Sequence, residues 1–118
     1  MNSFDRREIL NLLGIARKSG NISSGAEAVM DSLKKSRAKL LVMSDDITEK
    51  HKETMLKLCK KNSIIYLVFG SRDELGNAIG QGPRVALTVN NAGIAESVSG
   101  RIKKLFETES LGVDEWQK

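Results

Sequence analysis

Three short, largely apolar runs, Leu40 to Met43, Ile64 to Phe69 and Val85 to Val89, are separated by stretches whose apolar residues return every three or four positions. A short continuous apolar run is the mark of a strand covered on both faces, and a period near 3.6 is the mark of a helix with one buried stripe. A chain that alternates the two has few ways to bury both. The pattern predicts an α/β, three-layer α/β/α sandwich, with helices on both faces of a small mixed, largely parallel sheet of about four strands. No internal repeat interrupts it.

The first helix is expected to start at Ser3 or Asp5, to bury Ile9, Leu12, Leu13 and Ala16, and to stop at Gly20 after Arg17 and Lys18. Asn21 to Ser23 suffice for a short strand. Ser24 stands three residues before Glu27, the spacing of a capping box, and Ala26, Val29, Met30 and Leu33 then form an apolar stripe. Glu27, Ala28, Asp31, Lys34 and Lys35 are left facing outward. Gly25 lets a ligand approach the backbone at this helix start, where amides at the positive end of the dipole attract phosphate. A purely structural cap explains the same residues.

Asp45 and Asp46 follow the first long strand at its carboxyl end, where open sheets often bind ligands. A metal site would need a third carboxylate, and Asp46 with Glu49 reads better as a second capping box. The next helix carries His51, Met55, Leu58 and Cys59 on one face and Lys50, Lys52, Lys57, Lys60 and Lys61 on the other. His51 is thus expected at the core edge, with no partner at the spacing of a nucleophilic triad. Ser71 and Glu74 repeat the capping pattern before Leu75, Ala78 and Ile79. Gly76, Gly80 and Gly82 run from helix into strand, the reverse of the order in dinucleotide and P-loop sites. Residues Gly80 to Arg84 instead predict a loop stiffened by Pro83 that carries an exposed Arg84 to the last strand. Asn90 or Asn91 caps a final helix with Ile94, Val98, Ile102 and Leu105 buried.

The length of 118 residues suits one domain, expected over residues 1–106, with residues 107–118 an acidic, frayed tail. Residues 1–106 hold 18 basic and 11 acidic side chains, net +7, which points to a polyanionic partner. Aromatic residues make up only 4% of the chain, too few and too scattered for a base-stacking platform. The lone Cys59 rules out an internal disulfide, and neither a signal-like segment nor a run long enough to span a membrane occurs, so a cytoplasmic setting is expected. Neither a catalytic group nor a metal or cofactor site emerges.

The blocks LLGIARKSG from Leu12, SGAEAV from Ser24, RAKLLV from Arg37, ELGNAIG from Glu74 and PRVA from Pro83 resemble the bacterial YlxQ-like proteins. These are a branch of the kink-turn-binding ribosomal-protein superfamily, related to the archaeal L7Ae type. The resemblance covers about residues 4–106 and implies a three-layer fold that binds structured RNA without catalysis. In the superfamily's kink-turn binders, a Gly-x-Asn-Glu-x-x-Lys segment at a helix start reads sheared G·A pairs, and a loop ahead of the last strand packs on extruded bases. Here Gly25 keeps the glycine, whereas Glu27 stands for the asparagine, Ala28 for the glutamate and Asp31 for the lysine. The loop is also shorter, with Arg84 where small apolar residues are usual.

The expected function is therefore non-catalytic binding of structured RNA, of kink-turn-like, ribosomal or RNase P type. Ser24, Gly25, Glu27, Ala28, Asp31, Gly82 and Arg84 would form a cationic, concave seat, with Lys18, Lys34, Lys35 and Arg37 adding phosphate contacts. A monomer meeting RNA alone or within a ribosome or other ribonucleoprotein fits this reading. The alternative is a protein-interaction module that kept the fold and lost RNA recognition.

Overall fold

Helix and strand alternate as expected in a computed structural model that describes residues 3–109. In chain order the elements are α1 (Ser3–Lys18), β1 (Ile22–Ser24), α2 (Ala26–Lys34), β2 (Leu40–Met43), α3 (Glu49–Asn62), β3 (Ile65–Val68), α4 (Arg72–Ala78), β4 (Ala86–Val89) and α5 (Ala92–Glu109). The strands lie in the order β1-β4-β2-β3.

The sheet is mixed, and its parallel character is smaller than the alternation suggests. Only β2 and β3 run parallel, while β4 is antiparallel to both β1 and β2. The reason lies in α4. A parallel crossover needs a connection that carries the chain back to the far end of the sheet, and seven helical residues reach only about 10 Å. The following loop then folds back on α4, so that the Arg84 amide donates to the Arg72 carbonyl at 3.0 Å. The chain re-enters the sheet at the end it left.

Alternation along the strands divides the core in two. Leu40, Val42, Leu87 and Val89 pack with Ile9, Leu13, Leu75, Val98 and Ile102 of α1, α4 and α5. Leu41, Met43 and Ala86 face the other way, onto Val29 and Leu33 of α2 and Met55 and Cys59 of α3. Each face sheds water against its own helices, at about 1.5–3 kcal/mol for a fully buried large aliphatic side chain. β3 is an edge strand, and Ile65, expected to be covered on both sides, is 50% exposed.

Buried polar residues that periodicity did not flag join β4 to its neighbours. The hydroxyls of Ser32 and Thr88 donate to Asn90 Oδ1 at 2.9 and 3.0 Å, and Asn90 Nδ2 donates to Ser23 Oγ at 3.0 Å. This settles which asparagine caps α5: Asn91 Oδ1 accepts from the Ile94 amide at 2.9 Å, leaving Asn90 to its network. Of three expected capping boxes one forms, at Ser71 and Glu74. α3 is capped by Thr48, whose hydroxyl accepts from the His51 amide, and not by Asp46. α5 extends through Glu109, and from residue 110 on the expected tail lies outside the described residues.

Candidate functional site

The start of α2 is built differently from the expected capping box. Ser24 belongs to β1, opposite Leu87, and the N-cap is Gly25 with φ 89° and ψ 149° and no side-chain cap. That backbone region is open essentially to glycine alone. With Ser24 turned into the sheet and Glu27 exposed, neither bonds across the helix start. The first-turn amides of Ala26, Glu27 and Ala28 therefore present the positive end of α2 without a protein acceptor from a capping side chain. A Cβ placed on Gly25 would meet no atom within 4 Å, so the space before this turn is open.

The loop ahead of β4 lies against that turn. Gly76 and Gly82 pack so closely that a Cβ on Gly76 would sit 2.0 Å from the Gly82 carbonyl oxygen, and the Gln81 amide donates to the Gly76 carbonyl at 2.8 Å. Of the three glycines that resemble a phosphate loop out of order, Gly76 is thus the one this backbone contact requires. Arg84, expected to be exposed, is half-buried. Its guanidinium donates to the carbonyls of Gly82 and Pro83 at 3.3 and 3.0 Å and to Gln81 Oε1 at 3.2 Å. Its Nε donates to Ser24 Oγ at 3.5 Å, which ties the loop to the start of α2.

Between the two segments lies a mostly apolar cavity of about 250 Å³. Val29, Met55, Val85 and Ala86 supply its apolar lining, and Gly25, Ala26, Pro83, Arg84, His51 and Arg72 complete it. Arg72 is held in position by Asp46, whose carbonyl accepts from Nη2 at 2.9 Å and whose carboxylate lies 3.4 Å from Nε. His51 is exposed at this cavity and not tucked into the core edge. Sequence reasoning missed Arg72, Met55 and His51 as neighbours of the site. A signal existed: Arg72 and His51 stand just beyond β3 and β2, at strand carboxyl ends, where open sheets collect ligands.

The expected site residues divide between two ends of the molecule. Ser24, Gly25, Glu27, Ala28, Gly82 and Arg84 gather around the start of α2. Lys34, Lys35 and Arg37 stand at the other end of that helix, about 12 Å along its axis. Lys18, exposed at the end of α1, borders a shallow hollow with Asn77 and Ala78 and does not join either group. Asp31 accepts from Lys35 Nζ at 3.1 Å and Arg37 Nη2 at 2.6 Å. The Lys35 hydrogen bond, with Arg37 assisting, holds the Asp31 carboxyl below its ordinary range against an opposing desolvation effect. Asp31 thereby faces its own cations.

A uniformly cationic seat is not what forms around Gly25. Arg72 and Arg84 line its cavity, and Asp46 beside Arg72 brings a carboxylate of opposite sign. Among the described residues, no group of three or more His, Cys, Asp or Glu side chains is arranged to hold a metal ion. No described helix is long and apolar enough to cross a membrane.

Residues 7–99 match the model of the ribosomal protein L7Ae/L30e/S12e/Gadd45 family. The chain belongs to that family. Within the L7Ae family it is YlxQ-like: it is 29% identical over 87 residues to the RNA-binding protein YlxQ of Bacillus subtilis, covering 74% of this chain and 87% of that one. The RNA-binding protein YlxQ of Enterococcus faecium is 24% identical over 107 residues, 91% of this chain and 99% of the relative. A Bacillus halodurans protein of unknown function has a structure that superposes with a TM-score of 0.76 at 31% identity, covering 80% of this chain and 95% of that one. The 15.5 kD RNA-binding protein of Giardia lamblia superposes at 0.69 with 21% identity over 89% of this chain and 92% of its own, a likeness of L7Ae fold alone.

Proposed function

We propose that this protein binds structured RNA without catalysis, through the start of α2 and the loop before β4. The observation that carries the reading is the adjacency of these two segments, tied by Arg84 to Ser24 and lined by a shared apolar cavity, in a chain of the L7Ae family. The curated relatives in Bacillus subtilis and Enterococcus faecium are named RNA-binding proteins, which supports the same class of partner. In this reading the uncapped first-turn amides of α2 donate to a phosphate or base acceptor, and the cavity takes an extruded base between Pro83 and the α2 turn. Glu27, exposed and free of any capping bond, accepts from guanine amines. With Ala28 and Asp31 in place of a family glutamate and lysine, the RNA shape read differs from a standard kink-turn. Ribosomal or RNase P RNA in the cytoplasm is the setting that fits.

Glu27→Ala tests the assignment. Because Glu27 makes no capping bond, its loss is expected to change stability by less than about 0.5 kcal/mol. Removing one base-edge contact is expected to weaken RNA binding by about tenfold, read by gel shift with ribosomal and RNase P RNA fragments. Unchanged affinity would move the base-reading role away from Glu27. The second reading, a protein-interaction module, is favoured by the mostly apolar lining of the cavity. A wild-type protein that shifts no RNA yet co-purifies with a nuclease-resistant protein partner would select it.

A further inference from the structure

The net charge of the body does not sit where the family's RNA segment sits. The carboxyl-terminal ends of α2 and α3 lie side by side, joined by Asn62 Nδ2 donating to the Leu33 carbonyl at 2.9 Å. Lys34 and Lys35 follow Leu33 directly, and Lys60 and Lys61 directly precede Asn62. All four are exposed, as are Arg37, Lys39 and Lys57. Residues 31–39 and 57–61 together hold seven cations and one acid, Asp31, a net +6. The remaining body of residues 1–106 is left with +1.

Two further facts narrow the partner. Asp31, the one acid in these spans, is already engaged with Lys35 and Arg37, which leaves Lys34, Lys57, Lys60 and Lys61 without an acid of these spans to pair with. The large apolar side chains exposed among the described residues are Ile15 and Ile65, and neither belongs to these spans. Stable protein interfaces are anchored by buried apolar and aromatic groups, whereas a duplex backbone is held by point charges against phosphate. The end surface is cationic without being apolar.

We infer that the paired carboxyl ends of α2 and α3 form a second RNA contact, one that grips duplex phosphates without reading sequence. It rests on the RNA-binding reading and divides the work within it. The start of α2 selects the RNA, with little net charge of its own. The far end supplies most of the electrostatic attraction to a flanking helical arm, about 12 Å along α2 from the selecting turn. The bend of the RNA then lies at one end of α2 and an arm of it at the other.

The test uses the full chain and an RNA duplex of about 20 base pairs, a probe without a bend, over a salt series. Changing Lys34→Gln, Lys60→Gln and Lys61→Gln together is expected to reduce the slope of log affinity against log salt by about 2.7, three phosphate contacts at about 0.9 each. Circular dichroism verifies that the variant keeps its helices. A slope equal to wild type overturns the inference. Ala26→Trp, which fills the cavity from an exposed position, separates the two readings. It is expected to weaken structured ribosomal RNA and leave the duplex slope intact. If Ala26→Trp weakens structured RNA while the lysine variant changes nothing, the selecting turn stands and the second contact falls. If wild type binds no RNA, both fall. Polyglutamate displacing the duplex at equal charge concentration would assign the surface to acidic proteins and overturn the inference as well.

Discussion

Gly25 concentrates the residue-scale argument, because one backbone angle there replaces the side-chain cap that the sequence suggests. At φ 89° and ψ 149° an L side chain is strained whatever space surrounds it. Gly25→Ala is expected to cost about 1–3 kcal/mol in denaturant unfolding, although the added methyl would meet no atom within 4 Å. A loss near zero would show that the turn relaxes to ordinary dihedrals and that α2 can start without its glycine. Asn90 teaches the same lesson from the polar side. As a candidate cap it looks interchangeable with Asn91, but only Asn90 reaches Ser32, Thr88 and Ser23. Leaving such buried hydroxyls unpaired costs more than the bonds gain, which is why one of the two asparagines is spoken for.

At the scale of elements, α4 and its loop decide both the topology of β4 and the position of Arg84. Gly76 is the pivot. A methyl there would fall 2.0 Å from the Gly82 oxygen and 2.7 Å from its carbon, and neither backbone atom can yield cheaply. Gly76→Ala is expected to lower stability by about 1–3 kcal/mol and to detach Arg84 from Ser24. Gly82→Ala is the control, since its Cβ would meet nothing within 4 Å. Thermal unfolding of the two variants checks the pair: equal losses would mean that loop entropy, and not the Gly76 contact, holds the loop. The helices themselves follow their apolar stripes, and Val29, Leu33, Met55 and Cys59 are buried as periodicity requires. Burial pushes the Cys59 thiol up to about 12, consistent with an inert side chain.

At the scale of the whole molecule, the ion pair that ties α1 to α4 within one helical layer is sensitive to pH. Arg6 Nη2 donates to both carboxylate oxygens of Glu74, at 2.8 and 2.7 Å, while its guanidinium lies 4.9 Å from the Phe69 ring centroid. Arg6, and after it the Ser71 amide and hydroxyl, hold the Glu74 carboxyl below its ordinary range despite partial burial. A depressed acid contributes stability above its unfolded pKa and loses it as pH falls through the folded value. Both side chains are more than a third exposed, so screening limits the contribution to about 1 kcal/mol. Arg6→Ala is expected to be less stable than wild type at neutral pH and to converge with it as pH falls below the ordinary carboxylate range, in paired denaturant titrations. A constant gap across that range would assign the loss to Phe69 packing instead.

Composition and period alone determined the alternation of helix and strand, most of each helix's buried stripe, the two-sided core and the cationic body that points to a polyanionic partner. These depend on neighbours within one or two turns, or on sums over the chain, and a sequence carries both. Tertiary structure alone decided that β4 runs antiparallel, that Ser24 serves the sheet and not the helix, that Arg84 is tied down, and that Arg72 and His51 border the cavity. It also parted the lysines from the glycine-led turn. Each of these turns on which distant segments share a few ångströms. Hydrogen-bond capacity and charge are fixed by residue type, but their partners are fixed only once the short α4 and its folded-back loop set the direction of β4.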